Sequence, residues 1–310
     1  MSRPLISFVI VTYNSADTIV ACLASIERYT AGSFEAVVVD NSPDEETAVT
    51  VKRFLESRDG VTFRLDKTND NLGFAKGCNR GAKATTGDYL FFLNPDTELL
   101  NDAGAEMLAC IKEHPAAVAV GPAIFGSEGI VTATCRNLPT ASRIMLDAAG
   151  IDRWAGAYRM IHFSHREPRQ VEQIMGAALL IPRDAYWQVD GMDERFFIYY
   201  EEVDLCKRLM EEGGEIWFWP AAEVRHLAGT STDATSVRAR MIYVLRESRK
   251  KYFRKHFGAP GALMIDIINR MEGVAKWIVL SMMGMLRGSA SDREKARGFL
   301  SVALGSAPRN

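Results

Sequence analysis

An open, mostly parallel α/β sheet with helices on both faces, followed by a helical extension, is the fold class this sequence predicts. Three observations predict it. Short apolar runs alternate with segments of helical period through the first 125 residues. Three of those runs end in polar clusters, Thr12-Tyr13-Asn14, Asp40-Asn41-Ser42 and Asn94-Pro95-Asp96, the residue types that make turns and helix caps. The chain has 310 residues, 47% hydrophobic and 25% charged, a composition that excludes disordered and fibrous classes and can bury a large core.

Taken in order, residues 5–11 are apolar and β-branched, a buried strand that ends at a helix-start signal, Tyr13-Asn14-Ser15. Ile19, Val20, Leu23 and Ile26 then recur at helical spacing. A second strand over 34–39 leads to a charged helix over 45–57. A third strand is expected over 61–65. Residues 72–84 read as a loop running into a glycine-punctuated helix. A fourth strand, 89–93, ends at Asn94-Pro95-Asp96. A helix over 102–113 and a strand over 118–121 complete this half. Residues 123–172 show few strong periods. An apolar run follows over 173–182 with Gly176 inside it, then a short helix over 184–189 and a dense block over 191–226. The pattern over 236–256 is helical and basic, and the end of the chain holds an apolar segment, 262–286, and a polar tail.

The formal net charge of −2 gives no reason to expect a nucleic-acid partner. Five cysteines at wide spacing, with no CxxC pair, indicate neither a zinc knuckle nor a redox pair and fit a reducing compartment. The N-terminal apolar run is short for a signal peptide, and no stretch reaches the roughly 20 apolar residues that cross a bilayer. No GxGxxG follows the first strand and no Walker A pattern exists, which disfavours a dehydrogenase-type dinucleotide site.

In open parallel sheets, ligands sit at the carboxyl ends of the strands. Each polar cluster alone is adequately explained as a turn, but three at successive strand ends converge on one crevice. Asp96, after Phe91-Phe92-Leu93, is placed to hold a hard cation between two phosphates. One carboxylate makes a thin site, so His226 and the acids of 201–204 are candidate companions. In the segment Phe196–Arg208, Glu201, Glu202 and Asp204 follow a run of aromatics. The positive end of a helix explains acids there. It does not explain why they follow so apolar a run, where a carboxylate resists ionisation and becomes a better base near neutral pH.

Five segments in this order, ISFVIVTYN, VVVDNS, NLGFAKGCNRG, GDYLFFLNPD and GMDERFFIYYEEVDLCKR, resemble the inverting GT-A glycosyltransferases of the large family 2, and within it the bacterial rhamnosyltransferase-like branch. The likeness runs over residues 4–258. It implies a GT-A domain over 1–258, with a nucleotide-binding half over 1–125 and an acceptor and catalytic half over 126–258, and a C-terminal amphipathic helical tail over 259–310. It assigns Thr12, Tyr13, Asn14 and Asp40 to the nucleotide and adds Asn71, Gly73, Phe74 and Asn79 to the same pocket. The family's Asp-X-Asp metal motif reads Asn94-Pro95-Asp96 here, so Asp96 alone would meet Mg²⁺ or Mn²⁺, joined by His226. The family base falls on Glu202. Gly176, Glu201, Asp204 and Arg208 are expected on the acceptor side or as orienting groups.

The implied reaction is a metal-assisted single displacement with inversion at the anomeric carbon. The implied donor is dTDP-L-rhamnose and the acceptor a cell-envelope polysaccharide or a polyprenyl-diphosphate-linked glycan. A UDP-hexose transferase shares these motifs. A nucleotidyltransferase lacks support because residues 8–14 hold no glycine-rich loop, and a non-catalytic sugar-nucleotide-binding module would not need the acid pair. Arg246, Arg249, Lys250, Lys251, Arg254 and Lys255 crowd eleven residues opposite Glu247 alone. They read as a solvated helix face or as cations for phosphate. With the amphipathic segment that follows, 246–286 is expected to touch a membrane surface peripherally. The rival reading is a helix docked on its own domain or on the second copy of a homodimer. The expected location is the cytoplasm, at the inner face of its membrane.

Overall fold

The computed structural model describes residues 5–56, 58, 63–68, 70–126, 128–226, 235–287 and 289–307. Ser57, Val61 and Thr62 of the expected second helix and third strand, and residues 308–310 of the expected tail, lie outside them. The first half runs β1 (Ile6–Thr12), α1 (Ala16–Tyr29), β2 (Phe34–Asp40), α2 (Glu46–Glu56), β3 (Phe63–Lys67), α3 (Phe74–Lys83) and β4 (Tyr89–Leu93). Then come β5 (Thr97–Leu99), α4 (Ala103–Glu113), β6 (Ala117–Phe125), β7 (Cys135–Arg136), α5 (Ala141–Ala148) and α6 (Asp152–Ala155). The rest is β8 (Arg169–Val171), β9 (Gln173–Ile174), β10 (Ala178–Pro182), α7 (Arg183–Gln188), α8 (Glu201–Glu211), β11 (Glu215–His226), α9 (Thr235–Arg287) and α10 (Ala290–Leu304).

The main sheet has the order β3-β2-β1-β4-β10-β6-β11-β5, with β8 also on β11. The β3-β2-β1-β4 half is parallel, as is β6 beside β11. Strand β10 runs antiparallel between β4 and β6. The apolar run over 173–182 is therefore not one strand. It is broken at Met175-Gly176-Ala177, and β9 leaves to pair with β7 in a separate two-stranded sheet. Strand β1 is buried along its whole length, because a sheet covered on both faces has no solvent side. Its side chains alternate between two cores. Phe8 and Ile10 join Ile19, Leu23, Phe91 and Met107 on the face of α1 and α4. Val9 and Val11 join Ala75, Cys78, Phe92 and Leu205 on the face of α3 and α8. All five cysteines are buried and free. Burial pushes the Cys22, Cys110, Cys135 and Cys206 thiols up to about 12, which leaves them inert as nucleophiles.

Contacts group the chain into two compact units. One holds Met1–Leu138, Met160–Phe197 and Glu201–Ala228, and the other Pro139–Arg159, Ile198–Tyr200 and Gly229–Asn310. The sheet lies wholly in the first. In the second, α9 is broken at Gly258, whose φ of 70° is left-handed, and Pro260 follows, a residue that cannot continue a preceding helix. Helix α10, within the expected helical tail over 259–310, packs along α9.

The basic stretch of α9 is neither one solvated face nor one set of cations open to phosphate. Arg246 and Arg249 are buried. Arg246 meets Glu272 through Nη2 at 2.6 Å and Nε at 3.1 Å. Arg249 donates to Asn269 and to the Tyr200 hydroxyl, both at 3.0 Å. Lys250 pairs with Asp266 at 2.9 Å, and Lys276 with Glu272 at 2.6 Å. Together the cations hold the Glu272 carboxyl down at about 2 against the opposing effect of burial.

Candidate active site

The parallel register sets the first cluster. Thr12 lies beside Asp40, and Asp40 beside Lys67. Buried Asp40 accepts from the Thr12 hydroxyl at 3.0 Å and from Ser42 through its amide at 3.0 Å and its hydroxyl at 2.5 Å. Its other oxygen lies 3.1 Å from Lys67 Nζ. Lys67 also donates to the Ser42 and Asp44 carbonyls, so one cation ties the end of β3 to the end of β2 and the loop that follows it. Sequence reasoning missed Lys67. The β3–β2 pairing that places it beside Asp40 is a matter of register, which no single stretch of sequence shows. Asn14 is left-handed at φ 51° and donates its amide to Ser42 Oγ at 2.8 Å. That turn leaves the Tyr13 side chain 46% exposed.

The second cluster forms where β5 pairs with the end of β11. His226 stands opposite Thr97, the residue after Asp96. This brings His226 Nε2 within 3.1 Å of Asp96 Oδ1 across 130 positions of sequence. Both side chains are largely buried. Next to them Arg225 pairs with Glu98 at 3.2 Å. Asn94 anchors the turn through its backbone, its amide to Ala177 O and its carbonyl accepting from Thr97.

The third cluster is the start of α8. The chain enters it through Tyr199 and Tyr200, left-handed at φ 68° and 72°, conformations that side-chain-bearing residues adopt only under constraint. Glu201, Glu202 and Asp204 then occupy the first turn, where the helix dipole favours negative charge. Glu201 is 5% exposed and its Oε2 has no hydrogen-bond partner. Burial, and next the charge of Glu202, push the Glu201 carboxyl well up. Gly176 lies against Glu202, and a Cβ there would stand 3.3 Å from Glu202 Cβ. Asp204 is fully buried and pairs with Arg208 at 2.7 Å, and Arg208 also donates to Val189 O. These two tie α8 to the loop after α7.

The Asn-Leu-Gly-Phe segment meets this third cluster. Gly73 has φ 81°, and a Cβ on it would fall 2.5 Å from Phe197 O. Only glycine permits that approach. The Phe74 amide donates to the same carbonyl at 2.7 Å. Asn71 Oδ1 accepts from the Gly73 amide at 3.0 Å. Asn79 is placed differently. Its Oδ1 accepts from Tyr186 Oη and Met192 N, and its Nδ2 donates to Met192 O and Glu194. All the capacity of this amide is used on α7 and on the loop after it that leads to Phe196 and Phe197. His165, in the basic stretch 162–169, is buried too. Its ring contacts the Phe163 carbonyl at 2.9 Å and the Cys135 amide at 3.3 Å, and burial lowers its pKa. It is a structural histidine.

Asp96 and His226 are chemically fit to share a divalent cation. One offers a hard carboxylate oxygen and the other an imidazole nitrogen, already side by side. Among the described residues no third His, Cys, Asp or Glu joins them. Such a pair suits a cation completed by ligand oxygens rather than one caged by protein.

The model of the family described as "Glycosyl transferase family 2" matches residues 7–166. The chain is 30% identical over 241 residues to the N-acetylglucosaminyl-diphospho-decaprenol L-rhamnosyltransferase of Mycobacterium tuberculosis, 72% of this chain and 76% of that one. A low-salt glycan biosynthesis hexosyltransferase of Haloferax volcanii is 24% identical over 280 residues, 89% of this chain and 82% of that one. Among solved structures, a mannosyltransferase from Pyrobaculum calidifontis in complex with GDP-Man and Mn²⁺ superposes with a TM-score of 0.57 at 14% identity, covering 98% of this chain and 87% of that one. Matched over more than half its length by the family model, the chain belongs to glycosyl transferase family 2 and is a glycosyltransferase of the GT-A fold, similar to the rhamnosyltransferases within that family.

Proposed function

We propose that this glycosyltransferase transfers L-rhamnose from dTDP-L-rhamnose to a lipid-diphosphate-linked glycan by a single inverting displacement. The observation that carries the site is the register of β5 on β11, which sets Asp96 and His226 3.1 Å apart at an edge where other strands of the same sheet end in Thr12 and Asp40. Residues 1–125 are the nucleotide-binding half in this reading and 126–258 the acceptor and catalytic half. Tyr13, exposed beside the left-handed Asn14, offers a ring to the base. Thr12, Asn14 and Asp40 frame the ribose, with Asn71, Gly73 and Phe74 beside them, and Asn79 serves by fixing the 191–194 loop. Asp96 and His226, with Asn94 shaping the turn, would hold Mg²⁺ or Mn²⁺. When bound, that cation supplies positive charge against the departing diphosphate.

The rest is done by the chain. The Glu202 carboxylate takes the proton of an acceptor hydroxyl. The freed oxygen bonds to the anomeric carbon as the bond to the nucleotide diphosphate breaks on the opposite face. Glu201, holding its proton, leaves Glu202 as the ionised member of the pair. Gly176 keeps the space over Glu202 open for the acceptor. Asp204 and Arg208 orient the helix that carries both acids. The relative from Mycobacterium tuberculosis, named for a decaprenol-linked acceptor and an L-rhamnosyl donor, supports this choice of substrates. In this reading the reaction runs at the cytoplasmic face of a membrane, where the lipid-linked acceptor is met. A UDP-hexose donor is the second reading, favoured by the hexosyltransferase likeness over 89% of the chain.

Glu202→Gln is expected to keep donor binding and to lower transfer by at least about a hundredfold, the usual contribution of a general base. Turnover within a few-fold of the parent would remove Glu202 from the mechanism.

A further inference from the structure

The segment of α9 that follows the Gly258 break turns its polar groups inward and its apolar groups outward. Glu272 and Asn269 are buried, and Asp266, Arg270 and Lys276 are tied into ion pairs. On the other side Leu263, Ile267, Met271, Val274, Ile278 and Met282 are all exposed. Their spacing of three or four residues lines them along one face. Met271 is 67% exposed and Met285 82%. From residue 263 to 286 the stripe is about 36 Å long at 1.5 Å per residue. In a soluble helix the arrangement is the reverse, so this face is built against something other than water.

Two features decide what covers it. The face is wider than a helix-pairing seam. A seam keeps charged residues on its flanks to set register, whereas Met264, Ala275, Val279 and Leu286 flank this stripe and are exposed as well. The exposed charge leading into it is basic. Lys251 and Arg254 are exposed just before the break, and between residues 251 and 286 every acid, Asp266 and Glu272, is ion-paired within the helix unit. Two copies paired through residues 251–286 would set these cations against cations, because the acids of that segment are already ion-paired. An anionic lipid surface answers both features, since its headgroups attract the cations and its acyl boundary takes the apolar face. Among the described residues no helix is long and apolar enough to cross a membrane. We infer that the segment after Gly258 lies in the plane of an anionic bilayer surface, its Leu263–Met282 stripe in the acyl boundary and Trp277 at headgroup depth. The inference accords with a lipid-linked acceptor but does not rest on Glu202 or on the donor, because its test needs neither substrate.

The full chain is mixed with vesicles of phosphatidylcholine, alone or with an equal share of phosphatidylglycerol, and sedimented. The chain is expected to follow the mixed vesicles, less so at high salt. The double variant Met271→Asp with Ile278→Asp, both positions exposed, is expected to lower the partition by more than about tenfold at an unchanged melting temperature. Should that variant fail to fold, quenching of the parent protein by brominated lipid provides a second readout. Trp277 should be quenched, and the quench should fall in Trp277→Phe. Absence of both sedimentation and quenching would overturn the inference. So would a lipid-free dimer that the double variant splits into monomers, which would assign the face to a second copy.

Discussion

At the scale of single residues, the two adjacent carboxyls of α8 differ by what surrounds them. Glu201 is 5% exposed, while Glu202 is half-buried with Gly176 against its side chain. Burial makes the charged form of Glu201 unfavourable and raises its pKa well above 4.5 in the folded chain. The unfolded chain ionises it at the ordinary value. Between those two points the folded state binds more protons, so stability falls as pH rises through that window. Below it the carboxyl is neutral in both states and no loss occurs. Glu201→Gln is therefore expected to melt like the parent near about pH 4 and above it near about pH 8, with transfer largely retained. Melting curves across that range test this, and a variant less stable than the parent at neutral pH would show that the ionised carboxyl is the native form.

At the scale of elements, the approach of the 71–74 loop to Phe197 is the contact on which the entry to α8 depends. Gly73→Ala would place a methyl 2.5 Å from the Phe197 carbonyl in a backbone region reserved for glycine. A loss of about 1–3 kcal/mol is expected, read from the denaturation midpoint. Turnover should fall as well, because the displaced carbonyl lies five residues before Glu202. Nothing in the glycine's sequence neighbourhood names Phe197 as its partner, since the two meet only through the fold. In α9 the decisive element is the buried Glu272 with its cations. Glu272→Ala strands Arg246 and Arg249 and is expected to cost about 3–5 kcal/mol. Because the folded carboxyl is held at about 2, its contribution is complete above 4.5 and is lost as pH falls towards 2. Glu272→Gln should flatten that acid limb, and equal acid sensitivity in variant and parent would assign it to other groups. A one-dimensional reading saw six cations opposed by one acid. It could not pair Glu272, 23 residues beyond Arg249, with them.

At the scale of the molecule, the sheet gathers ligand-type groups from distant parts of the chain, and a donor diphosphate should stabilise it as a whole. A ligand present at about a hundred times its dissociation constant adds roughly 2.7 kcal/mol. The proposed donor site predicts a larger thermal shift for dTDP than for UDP, increased by Mn²⁺, and His226→Ala should remove the Mn²⁺ increment alone. A UDP preference would replace the sugar and keep the transferase, and no shift with either nucleotide would remove the donor site.

The features legible in the sequence are local ones. The buried strands β1, β2 and β4 were legible because a strand covered on both faces is apolar throughout, and their polar ends because turn chemistry is local. The acid pair was legible because it follows five aromatic or apolar residues. Its order with the other motifs was enough to mark the family. How those pieces meet was settled by the fold. It divided the apolar run at Gly176 and ran β10 antiparallel. It set His226 on Asp96 through the pairing of β11 with β5, and Lys67 on Asp40 through parallel register. It also turned the charges of α9 inward. Pairing, register and the facing of a helix are fixed by long-range burial of apolar surface and by ion pairs between distant residues, and these have no signature in any single stretch of chain.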